Sequence, residues 1–188
     1  MPAFAQAADG NHADYCGGNV LTLGDIDRDA IRALLAGYRL RLVEIAAGEV
    51  IPGSYWGEPE AGIIADAVYA RADTPLHSLL HEACHLIVLP SEQRAAVHTN
   101  ATDSTDEEDA VCVLQVLLGE TLPGVTRARL FADMDAWGYS FRLGSARAYF
   151  EQDAQNAWDW LRQRGLIDAQ PAPAATAAHA HAGNGDAV

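Results

Sequence analysis

Leu79-Leu80-His81-Glu82-Ala83-Cys84-His85-Leu86-Ile87 is the stretch on which the reading of this chain turns. Apolar residues flank three ionisable ones. Upstream, Thr74-Pro75 offers an N-cap and a first-turn proline; downstream, Pro90 stops the run. A helix is therefore expected from Thr74 to about Leu89. Residues four apart on a helix lie one above the other, so His81 and His85 can present ring nitrogens to one ion. Glu82 follows the first histidine and projects to the open side of that ion. There it can take a proton from a metal-bound water instead of ligating. Neutral imidazoles suit Zn²⁺, and a catalytic zinc uses three protein ligands plus a water. An ordinary His/Glu cluster can share this spacing. Start signals before it, apolar neighbours around it and a breaker after it favour the metal.

The third ligand must come from elsewhere. An extended motif with a third histidine needs Gly at 88 and His at 91, where this chain has Val88 and Ser91. The run Asp103-Ser104-Thr105-Asp106-Glu107-Glu108-Asp109-Ala110 instead opens a second expected helix, 105–118, and supplies carboxylates. Ala110, Val111, Leu114, Leu117 and Leu118 form its apolar stripe, and extending that stripe backward lands on Glu107. Glu108 continues a face that includes Gln115 and reads as less buried. Ser104-x-x-Glu107 and Thr105-x-x-Glu108 are both capping boxes, so either glutamate could instead serve backbone N–H groups. The face argument selects Glu107, with Glu108 as the alternative.

His81-Glu82-x-x-His85, followed 22 residues later by Glu107-x-x-Ala110, resembles a zincin metallopeptidase of the gluzincin-like kind with a glutamate third ligand. The spacing is similar to that of small bacterial ImmA/IrrE-type peptidases, although Val111 stands where those carry Asn or Asp. The resemblance spans about residues 62–120. It implies a zincin-like fold, a Zn²⁺ cofactor held by His81, His85 and Glu107, catalysis through Glu82, and a peptide or protein substrate. It also implies an edge strand lining the cleft. Gly62 to Arg71, short, partly β-branched and bounded by breakers, stands where that strand belongs. A peptide would add along it. An oxyanion donor is expected, with Tyr139, Tyr149 and His98 as candidates. His77, four residues before His81, reads as an ordinary histidine more readily than as a helper. The competing function is a zinc-binding regulatory or protein-interaction module that does not cleave. Glu82 argues against it, because a purely structural site has no use for that carboxylate.

The remaining text sets the frame. The chain has 188 residues, 49% of them hydrophobic, enough for one buried core. Its net charge is −14, and all 12 basic residues are arginine. Nucleic acid and anionic membrane surfaces are thus excluded as partners on electrostatic grounds. Three cysteines make no disulfide framework, and Cys84 and Cys112 sit in apolar runs as small hydrophobes. No run is long enough to span a membrane and no leader is read at Met1, so a cytoplasmic location is expected. Helices are also expected from Asp25 to about Gly48, from Thr126 to Trp137 and from Ser145 to Arg164. The expected organisation is a loose N-terminus (1–20), a single domain (21–168) and a disordered tail (169–188). The fold class is α+β, mostly helical, with one small sheet beside the metal-binding helix.

Overall fold

The computed structural model describes residues 4–6, 19–102 and 104–168. The expected tail and most of the expected loose N-terminus lie outside them. The architecture is α+β. β1 (Phe4–Gln6) pairs antiparallel with β5 (Tyr139–Phe141). β2 (Arg41–Glu44), β3 (Gly62–Ile64) and β4 (Ala67–Ala70) form the second sheet in the order β2-β4-β3. Around them run α1 (Arg28–Gly37), α2 (Leu76–Val88), α3 (Thr105–Gly119), α4 (Arg127–Trp137), the single turn α5 (Ala146–Ala148) and α6 (Gln155–Gln163). Among the described residues no helix is long and apolar enough to cross a membrane.

The two helices that matter most lie close to their expected limits. α2 starts just after Pro75, which occupies the cap position without a side-chain bond. Thr74 is not the cap: its Oγ1 accepts from Arg71 N at 2.9 Å. α3 is capped by Ser104, whose hydroxyl accepts from Glu107 N at 3.4 Å. From Ala110 to Gly119 every α3 residue except Leu117 is buried, because α2, α4 and α6 all pack against it. α3 is the central rod of the molecule and has no solvent face beyond its first turns. α4 follows the expected limits, with Thr126 accepting from Arg129 N and Gly138 closing it in the left-handed region at φ +95°.

Three elements differ from expectation. The first helix is capped by Asp27, not Asp25, and ends at Gly37. Arg39 then adopts φ +59°, and 41–44 become β2, parallel to β4 in the register Arg41↔Ala67 to Glu44↔Ala70. A four-residue strand is too short to display its own period, so Leu42 and Ile45 fitted the helical step by coincidence. The strand expected over 62–71 is a hairpin, β3 against β4, reversing at Ala65 with φ +53°. Without Gly or Asn at that position, the usual signal of such a turn was missing. The last helix is broken. After α5 a wide π-type turn spans Tyr149–Asp153 before α6 begins. Tyr149 and Phe150 are held there by α3 and by neighbouring rings. The Tyr149 hydroxyl donates to Asp109 O at 3.0 Å, and Phe150 packs on Phe131 and Trp158.

Candidate metal centre

His81 and His85 lie one turn apart on α2, both buried, with their rings edge to face and their centroids 4.7 Å apart. Their Nε2 atoms are 3.1 Å apart. Across from them, the first turn of α3 brings up Glu108, with Oε1 3.4 Å from His85 Nε2 and Oε2 3.6 Å from His81 Nε2. Zinc bonds of about 2.0–2.1 Å in a tetrahedron separate ligand atoms by about 3.3 Å. The imidazole–imidazole separation is near that value, and the carboxylate approaches the two rings through different oxygens, so the three groups lie close enough together to share one ion. His81, His85 and Glu108 are a group that can hold a metal.

Glu107, the acid selected by the face argument, is not in this group. It interacts with Thr102 and Arg164; burial raises its carboxyl pKa, while those two partners lower it. Its Oε1 is buried with no hydrogen-bond partner among the described residues. Ser104 is the cap, so Glu107 contributes its backbone N–H to the cap and Glu108 is left to face α2. The physical reason for the reversal is the burial of α3 on all sides. Gln115, placed by the sequence on a less buried face, is 1% exposed. The stripe therefore could not identify the inward direction, whereas the polar line Glu108–Gln115 runs along the side of α3 that meets the histidines.

Burial sets the electrostatics. It holds the His81 pKa down to about 4 against the opposing pull of a bond with Gln115. His85 is held well below the usual imidazole range by burial and then by His81. Both rings are neutral over the physiological range, which is the metal-binding form. Glu108 is pushed up to about 7, first by burial and then by Glu107 and Asp109. A bound dication would counter that rise. Glu82 is 8% exposed, and burial, then Glu60, then Glu108 push its pKa well above the carboxylate range.

Several side chains complete the surroundings. His81 Nδ1 lies 2.9 Å from Gln115 Oε1. Glu60, at the end of the loop before β3, is buried and accepts from Trp137 Nε1 at 2.9 Å. No periodicity in the sequence marks this residue; it lies in irregular chain. Of the three oxyanion candidates, the structure brings Tyr139 to the histidines, its ring centroid 6.2 Å from that of His81. Tyr149 is committed to Asp109 O, and His98 is exposed, with Nδ1 2.8 Å from Thr99 Oγ1. His77 is buried between Trp137 and Tyr139, each at 5.4 Å. Its ring nitrogens have no hydrogen-bond partner among the described residues, and burial followed by His81 lowers its pKa to about 3.

The expected peptide-docking edge is closed. Ile63 turns its N–H and C=O outward from β4, but Ile63 N donates to Gly53 O at 3.2 Å and Thr99 N donates to Ile63 O at 3.0 Å. Ala65 N donates to Val97 O at 3.0 Å. The chain's own 97–99 segment thus lies where an added strand would have to pair. No family model, curated protein or solved structure matches this chain.

Proposed function

We propose that this protein is a zinc-dependent hydrolase, and specifically a metallopeptidase, with His81, His85 and Glu108 as ligands and Glu82 as general base. The observation that carries this reading is the convergence of two neutral imidazoles and one carboxylate within reach of one ion, with a buried carboxylate outside that group next to the first histidine. When bound, zinc supplies Lewis acidity and makes water acidic near neutral pH. Glu82 receives the proton of the attacking water and returns it to the leaving amine. Tyr139, the oxyanion candidate beside the histidines, would donate to the developing oxyanion by leaving its bond with Gln115. The substrate approaches without pairing to β3, whose edge is occupied, so an extended peptide added along that strand is not part of this reading.

The test uses three proteins and two readouts, bound zinc and hydrolysis of a quenched fluorescent peptide library. Wild type is expected to bind about one zinc per chain and cleave. His81→Ala loses both metal and cleavage. Glu82→Gln keeps zinc and loses about 10²–10⁴-fold in rate. Full hydrolysis by Glu82→Gln would remove Glu82 from the mechanism. Zinc binding without any cleavage by wild type would instead establish the non-catalytic module.

A further inference from the structure

We infer that Gln115 is a positioning residue for this centre: it fixes His81 in the Nδ1–H tautomer and leaves Nε2 as the bare lone pair a metal needs. The purpose of this arrangement rests on the metal reading above; its geometry does not. A neutral imidazole carries one proton on one of two nitrogens, and only the other nitrogen can ligate. His81 Nε2 faces His85 and Glu108, while His81 Nδ1 faces Gln115. An amide oxygen only accepts. With Gln115 Oε1 at 2.9 Å, the proton must therefore sit on Nδ1. The opposite tautomer would place a proton in the 3.1 Å gap between the two Nε2 atoms and block the ligand position.

What decides which end of the amide faces His81 is also in place. Gln115 Nε2 donates to Met134 Sδ at 3.1 Å. A thioether has no hydrogen to give, so it takes the NH₂ end and not the oxygen. The Tyr139 phenol hydrogen-bonds with Gln115 as well. The order of control therefore runs from Met134 on α4, through Gln115 on α3, to His81 on α2. Glu108 and Gln115 are seven residues apart on α3, two turns along one side. One helix thus contributes both a ligand and the group that orients another ligand. Such hydrogen bonds to ligating histidines are typically worth about 10–100-fold in metal affinity.

The experiment reads tautomer and affinity separately. In metal-free protein, ¹⁵N-edited imidazole spectra report which His81 nitrogen is protonated; zinc competition titrations report affinity. Wild type is expected to show His81 as Nδ1–H. Gln115→Met, close in size but without an acceptor of this kind, is expected to lose that preference and about 10–100-fold in zinc affinity. Gln115→Glu keeps an acceptor and is expected to hold the tautomer and recover affinity. Met134→Leu combined with Tyr139→Phe removes the other two partners of the amide and frees it to turn, giving a mixed His81 population even if Gln115→Met does not fold. A wild-type His81 protonated on Nε2, or an unchanged tautomer in both Gln115→Met and the Met134→Leu/Tyr139→Phe double variant, overturns the proposal. Wild type that binds no zinc yet holds His81 as Nδ1–H supports the orientation by Gln115 and overturns only the metal reading.

Discussion

Glu107 and Glu108 are neighbours in sequence but point about 100° apart around a helix, and that angle decides which of them meets α2. Glu108 oxygens lie 3.4 and 3.6 Å from the two Nε2 atoms, whereas Glu107 turns to Thr102 and Arg164. The neutral variants of the two should therefore behave differently. Glu108→Gln removes a ligand charge and is expected to cost more zinc affinity than the 10–100-fold typical of an outer residue. Glu107→Gln is expected to cost less than about 10-fold, the lower end of that range, because the partners of Glu107, Thr102 and Arg164, are not among the three grouped residues. Competition titration with a chromophoric chelator measures both. If the order is reversed, Glu107 is the ligand and the first turn of α3 rotates on metal binding.

At the scale of elements, what was legible in the sequence depended on whether an element carries its signal in its own residues. α2 and α3 do. Each has a stop or cap, an apolar run and a length of several turns, and both were found within two residues. The two histidines and Glu82 came with them, since spacing four on a helix already fixes their relation. β2 and the β3–β4 turn do not. Their conformations come from pairing with distant chain, at Arg41↔Ala67 and through Ala65 in the left-handed region. The acid that joins the two histidines belongs to the same class, because it depends on how α3 is rotated against α2, a tertiary fact. β3 also shows how closely the loop before it is packed. A Cβ on Gly62 would lie 2.2 Å from Pro52 O and 2.4 Å from Ser54 N, both backbone atoms. Backbone cannot swing aside as a side chain can, so Gly62→Ala is expected to destabilise by about 3 kcal/mol, the upper part of the range for overpacking. Denaturant unfolding would read this as a lower midpoint at unchanged slope. An unchanged midpoint would mean that the 52–54 loop is free to move off β3.

For the molecule as a whole, the metal would join α2 to α3, the pair of helices packed most extensively against each other. A ligand that binds only the folded state adds its binding free energy to stability. Zinc at about one hundred times its dissociation constant would contribute about 2.7 kcal/mol. For a chain of this size that corresponds to a rise in melting temperature of about 5–11 °C. A net charge of −14 invites a simpler cause, diffuse binding of any dication to surface carboxylates. Calcium separates the two, because it favours oxygen ligands in larger number and is a poor partner for two imidazoles. The expected outcome in differential scanning calorimetry is a rise with zinc, reversal by a chelator, little change with calcium, and no zinc effect in His85→Ala. An equal rise with calcium, or a rise that survives in His85→Ala, would assign the stabilisation to the acidic surface and leave the two histidines as buried neighbours with no ion between them.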